Sequence, residues 1–220
     1  KVFVRDHVIT SALSDDATSG SLTVKLDLDN RDGLTASKQY EVRLIDPAGN
    51  VIQTQTGSAD FTEMETSKNL AILFEGLANL QPWTSDNPAL YTVEIIQKDA
   101  AGKEESVTAT KYGFCVATIQ NNQFLVNGKR VLMKGVNTQD THPLMGRTMD
   151  IETMWTDLVI MKQNNVNMVR SSHYPRSPKM NAMMDYIGMY QMDEADVEFY
   201  SEIPDTASAV FWNFMHKLRT

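Results

Sequence analysis

From Lys1 to about residue 118, apolar and polar residues alternate in short runs. Leu22, Val24, Leu26 and Leu28 fall on one face, and Thr23, Lys25 and Asp27 on the other. That is the period of a half-buried antiparallel strand. Similar runs recur at 1–10, 21–29, 39–45, 51–56, 70–75, 90–98 and 105–112. Turn signals separate them, among them Asn30-Arg31-Asp32-Gly33, Asp46-Pro47-Ala48-Gly49-Asn50 and Lys98-Asp99-Ala100-Ala101-Gly102. About seven strands punctuated in this way predict an all-β sandwich of immunoglobulin-like architecture. The disulfide and core-tryptophan spacing of antibody domains is missing.

The pattern then changes. Residues 123–126 and 130–134 flank Asn127-Gly128, the strongest short hairpin signal, and 131–136 reads as a strand. Asp150 is placed to N-cap a helix from 151 to about 163, where Ile151, Met154, Trp155, Leu158 and Met161 follow the 3.6 period. A short strand at 167–170 follows. A second helix runs from about Pro178 to Tyr186, with proline in a tolerated first-turn position and Gly188 placed to close it. A third strand at 189–193 and an apolar, helical segment at 209–218 complete the chain. The order β-α-β-α-β predicts parallel strands joined by crossover helices.

Composition narrows the function. Apolar residues make up 42% and charged residues 22%, which is ordinary globular usage and excludes wholesale disorder, collagen and coiled coil. No apolar run approaches the roughly 20 residues of a membrane helix. Acidic residues outnumber basic ones, 28 to 20, for a net charge of −8. This argues against nucleic acid or an anionic membrane as the main partner, since both require a basic face. The single cysteine, Cys115, excludes an intrachain disulfide and reads as a small buried apolar residue. The thirteen methionines read as core filling, and His7 and His216 as residues without chemistry.

In parallel α/β folds, sites gather at the C-terminal ends of the strands. Asn137, Gln139, Asp140 and His142 follow the first such strand. Arg170, Ser171, Ser172, His173 and Tyr174 follow the second, and Asp193, Glu194, Asp196 and Glu198 the third. Carboxylates, an imidazole, a guanidinium and amides together suit a polyhydroxylated ligand, and the Tyr174 ring could stack on a pyranose. Plainer readings stand beside these. Arg170 could be an ion-pair partner of Asp193 or Glu194, Asp140 and His142 could shape a turn before Pro143, and 193–198 could be a solvated acidic loop. The acidic cluster lies on one short segment, a poor way to flank a glycosidic bond. HExxH, CxxC, GxSxG, P-loop and GxGxxG patterns do not occur.

Several of these residues form an ordered set. It runs through Gly135-Val136-Asn137, His142-Pro143-Leu144 and Gly146, then Met161-Lys162-Gln163-Asn164-Asn165-Val166-Asn167. It continues with Arg170-Ser171-Ser172-His173-Tyr174-Pro175 and Met192-Asp193-Glu194-Ala195. The set resembles glycoside hydrolase family 2, of the bacterial β-galactosidase type. Asn87-Pro88-Ala89-Leu90-Tyr91 and Tyr112-Gly113-Phe114 look like the end of that family's immunoglobulin-like domain. Phe124-Leu125-Val126-Asn127-Gly128-Lys129 looks like the hairpin that opens its catalytic barrel. The resemblance is specific from about residue 87 to residue 198, and rests on β pattern and position before that.

The resemblance implies an all-β immunoglobulin-like sandwich over 1–118. An incomplete α/β segment of (β/α)8 TIM-barrel type follows over 119–220, with the hairpin and about three βα units. A whole barrel takes roughly 250 residues, so the chain is expected to be a piece of a longer protein. Three strands cannot close a barrel, and the open edge predicts self-association.

For the site, His173 matches a histidine that binds galactose hydroxyls, and Arg170 an arginine that supports the catalytic carboxylates. Gln139 stands in place of a second sugar-binding histidine, and Asp140 in place of a glutamate. With Asn137 these are the candidate substrate-binding residues, and a galactoside or related oligosaccharide is the implied partner. Glu198 matches a carboxylate that binds magnesium in the family. Tyr200 replaces the metal-binding histidine there and Asp196 an asparagine, so no cofactor is expected. Cys115 replaces the usual arginine. The family's acid/base glutamate lies in an Asn-Glu dipeptide, which occurs nowhere in this chain. Both catalytic glutamates are therefore expected beyond Thr220, and the isolated chain is expected to be inactive. β-Glucuronidase, β-mannosidase or a non-catalytic carbohydrate-binding module remain alternatives, and the compartment stays open between cytoplasm and periplasm.

Overall fold

A computed structural model describes residues 1–195. The chain divides into two compact units, one from Lys1 to Val131 and one from Leu132 onward.

The first unit is built from β1 (Phe3–Leu13), β2 (Gly20–Asp29), β3 (Ala36–Ile45), β4 (Val51–Phe61), β5 (Ser67–Leu77), β6 (Tyr91–Lys98) and β7 (Glu104–Tyr112). They form two antiparallel sheets, ordered β1-β2-β5 and β4-β3-β6-β7. Each strand coincides with one alternating run of the sequence. β1, β4 and β5 run further than the apolar pattern does, because ladder pairing carries them into polar residues; Ala12 pairs with Ser21, and Ser37 with Asp60. Leu22, Val24, Leu26 and Leu28 are fully buried, facing Tyr40, Val42 and Leu44 of β3 and Val93 and Ile95 of β6. Phe114 closes this core. Tyr91 and Tyr112 meet its ring edge-on, with centroids 4.8 and 5.2 Å away.

Cys115 is exposed, which corrects the expectation of a buried residue. It lies in the irregular stretch after β7, where Phe114 takes the core position and the next side chain points away.

A small antiparallel sheet follows, made of β8 (Ala117–Gln120), β9 (Gln123–Val126) and β10 (Lys129–Arg130). Asn127 and Gly128 turn it with φ of 49° and 71°, the doubly positive geometry of a type I′ hairpin. Asn121-Asn122, at φ 50° and 60°, makes a second such turn, and its weaker sequence signal hides it. Asn127 is buried. Its Nδ2 donates to Trp83 O at 3.0 Å, and its Oδ1 accepts from Val116 N at 2.8 Å.

The second unit holds β11 (Gly135–Thr138), α1 (Ile151–Gln163), β12 (Met168–Ser171), α2 (Pro178–Ile187) and β13 (Tyr190–Met192). The strands are parallel, in the order β11-β12-β13. β11 begins later than the expected 131. Asn167 takes up the backbone before it, accepting from Lys134 N at 2.7 Å and donating to Leu132 O at 3.0 Å. Asn137 consequently lies inside the strand. Asp150 caps α1 by accepting from Thr153 N at 2.7 Å, and Gly188, at φ 78°, closes α2. Met154, Leu158, Val169, Met180, Met184 and Met189 form the core, so four methionines fill it, whereas Met64, Met145 and Met192 are exposed, which corrects the expectation for all thirteen. The segment expected to be helical at 209–218 lies outside the described residues. Among the described residues no helix is long and apolar enough to cross a membrane.

Candidate functional site

Parallel register sets Asn137, Arg170 and Met192 side by side across the sheet. Arg170 reaches both ways from this row. Its Nη1 donates to Asn137 Oδ1 at 3.3 Å, and its Nε donates to Glu194 Oε1 at 2.5 Å. The other Glu194 oxygen, Oε2, lies 3.2 Å from His173 Nδ1. One carboxylate thus joins a guanidinium and an imidazole from the β12 end. All three side chains are partly exposed, within reach of a ligand. Partial burial raises the Glu194 carboxyl, but the hydrogen bonds from Arg170 and His173, with their charges behind them, outweigh it and hold it below the usual carboxylate range. Of the two ion-pair partners the sequence allows for Arg170, Glu194 is the one used. Asp193 instead accepts from Glu194 N at 3.1 Å, shaping the turn that presents its neighbour.

A second network stands behind the β11 exit. Arg176 is buried, and its guanidinium donates to the Asp140 carboxylate and the Thr138 hydroxyl. Asp140 N donates to Tyr174 Oη at 2.8 Å. The Tyr174 ring, expected to be open for pyranose stacking, has two guanidinium groups over it, Arg147 at 5.5 Å and Arg176 at 5.7 Å from the centroid. Gln139 sits exposed between Thr138 and Asp140. His142 shapes a turn, as its plainer reading has it. Its Nδ1 accepts from Leu144 N and Met145 N, each at 3.1 Å.

The structure therefore brings Asn137, Arg170, His173 and Glu194 into one cluster, and Asp140 into another with Arg176. Sequence reasoning missed Arg176, because an arginine in a proline-bounded loop reads as a solvated surface residue. Its acceptors lie 36 and 38 positions earlier in the chain. Asp196, Glu198 and Tyr200, which bear on magnesium, lie outside the described residues.

Two family models match this chain. Residues 2–114 match glycosyl hydrolases family 2, and residues 117–214 match the TIM barrel domain of glycosyl hydrolases family 2. The chain belongs to glycosyl hydrolase family 2. The barrel-domain match takes in both clusters at the strand ends.

Among curated relatives, this family 2 chain is 32% identical over 200 residues to a β-galactosidase of Staphylococcus xylosus. It is 29% identical over 204 residues to one of Psychromonas ingrahamii. These alignments cover 91% and 92% of the chain but only 18% and 20% of the relatives, so the chain spans about a fifth of their length. Among solved structures, β-glucuronidase 2 of Bacteroides uniformis superposes with a TM-score of 0.82 at 20% identity, covering 97% of this chain and 26% of that one. A family 2 member from Bacteroides cellulosilyticus gives 0.78 at 21% identity, covering 86% and 26%. These likenesses establish the fold, a family 2 sandwich followed by the start of the barrel domain. Among the described residues the barrel is not closed.

Proposed function

We propose that this chain is part of a retaining glycosidase that cleaves terminal β-D-galactosides, and that it contributes sugar binding rather than bond breaking. The Glu194 bridge carries the reading. It holds Arg170 through Nε and His173 through Nδ1, so both side chains meet a ligand in one set orientation at the strand ends. The β-galactosidase relatives and the His142-Pro143-Leu144-Met145-Gly146-Arg147 segment favour galactose as the sugar.

Bond breaking in a retaining enzyme needs two carboxylates about 5–5.5 Å apart, one of them a general acid with a raised pKa. Glu194 has the opposite character. Its carboxyl is depressed and engaged by the Arg170 guanidinium and the His173 imidazole, a poor general acid. Asp193 is its immediate neighbour on the same segment. The catalytic pair is assigned to parts of the whole protein outside this chain.

A uronic acid is the second reading. Arg147 is exposed beside the Tyr174 ring, and a guanidinium suits the carboxylate of such a sugar.

Titration of the 220-residue protein with galactose, glucuronate and mannose, followed by amide NMR, tests the proposal. Galactose is expected to shift resonances around Arg170 and His173, the shifts to vanish in His173→Ala, and an aryl β-galactoside to remain intact. A preference for glucuronate would transfer the assignment to the second reading. Turnover that disappears in Glu194→Gln would overturn the division between binding and catalysis.

A further inference from the structure

We propose that Arg176 is a positioning residue of this site: from the loop after β12 it fixes the exit of β11, and so sets where Gln139 and Asp140 meet the sugar. The inference deepens the galactoside reading and rests on it.

The geometry is that of a brace. Arg176 has a side chain only 1% exposed, although it sits in a loop. One planar group takes two acceptors from another segment, the Asp140 carboxylate and the Thr138 hydroxyl. Tyr174, from the same loop, accepts the Asp140 N–H at 2.8 Å and lies under the Arg176 guanidinium. The residues on both sides of Gln139 are therefore held from β12, while Gln139 itself stays exposed.

Stability alone is a weak reason for this arrangement. Buried ion pairs are commonly replaceable by apolar groups without loss, and Arg176 Nε is buried with no hydrogen-bond partner. An apolar side chain would avoid that orphaned donor. What it could not do is hold two polar groups of a separate segment at set positions, which the guanidinium fork does and a lysine ammonium, as a point charge, does less well.

Amide hydrogen exchange on the 220-residue protein, read by NMR, is the test. In Arg176→Met, exchange at the Asp140 amide is expected to rise by about tenfold while that at Val169, in the middle of the sheet, stays put. Arg176→Lys should give a smaller rise with the same pattern, and it serves if the methionine variant fails to fold. An unchanged Asp140 amide in Arg176→Lys, or a parallel rise at Val169, overturns the proposal. Galactose affinity supplies a second arm. Arg176→Lys and Asp140→Asn should each weaken it, and the double variant should be no weaker than the worse single one; additive losses would mean that Arg176 does not act through Asp140. If no sugar binds the wild-type protein, the galactoside reading has failed, and the exchange arm still decides whether Arg176 fixes the β11 exit.

Discussion

Arg170 Nε stands 2.5 Å from Glu194 Oε1, tying the end of β12 to the residues that follow β13. Partly exposed pairs of this kind add little to stability. The consequence lies in orientation and protonation. Glu194 stays ionised, and the guanidinium it holds is turned toward Asn137 on the neighbouring strand.

Acid sensitivity follows from this pair. The folded Glu194 carboxyl lies below its ordinary range, because the Arg170 and His173 hydrogen bonds outweigh the effect of burial. A group depressed in the folded state stabilises it above the unfolded pKa, about 4.3 for Glu, and that contribution is lost as the pH falls through the folded value. Glu194→Gln should therefore lose less melting temperature than wild type on going from about pH 6 to about pH 3. Scanning calorimetry at the two ends checks this, and equal drops in the two proteins would contradict it.

The Asn127 hairpin makes a different prediction. Its side chain serves Trp83 O and Val116 N, and its backbone has φ 49°. Asn127→Ala leaves those groups unpaired and strains the turn, for a loss of about 2–4 kcal/mol in urea unfolding. Asn127→Gly keeps the conformation without strain and should cost about 1 kcal/mol less than alanine. Equal losses for the two would place the whole cost in the hydrogen bonds.

In the second unit, Leu158 on α1 is fully buried among methionines. Leu158→Ala should destabilise by about 2–5 kcal/mol, whereas Leu158→Met, close in volume, should cost less than about 1.5 kcal/mol. Urea titrations followed by circular dichroism separate the two. A mild alanine variant would indicate that the flexible methionines collapse into the space.

Much of the fold was legible before any coordinates. Leu22 to Leu28 had to alternate because one face of β2 is buried and the other is not, and Asp150 and Gly188 mark helix ends through local bonding and backbone geometry. The start of β11 was not legible, because Asn167, more than thirty residues later, takes the backbone bonds a longer strand would have used. Cys115 was misplaced because its neighbour Phe114 takes the core position, which turns the next side chain outward.

At the site the division is sharper. The sequence by itself determined the family, the sandwich, the βα order and the polar residues at the strand ends, since each is written in local periodicity or an ordered motif. Only the tertiary structure decided that Glu194 rather than Asp193 holds Arg170, that two guanidinium groups cover the Tyr174 ring, and that Arg176 is buried beneath Asp140. Those facts depend on side chains from segments far apart in the chain, which the parallel pairing of β11, β12 and β13 brings together at the strand ends.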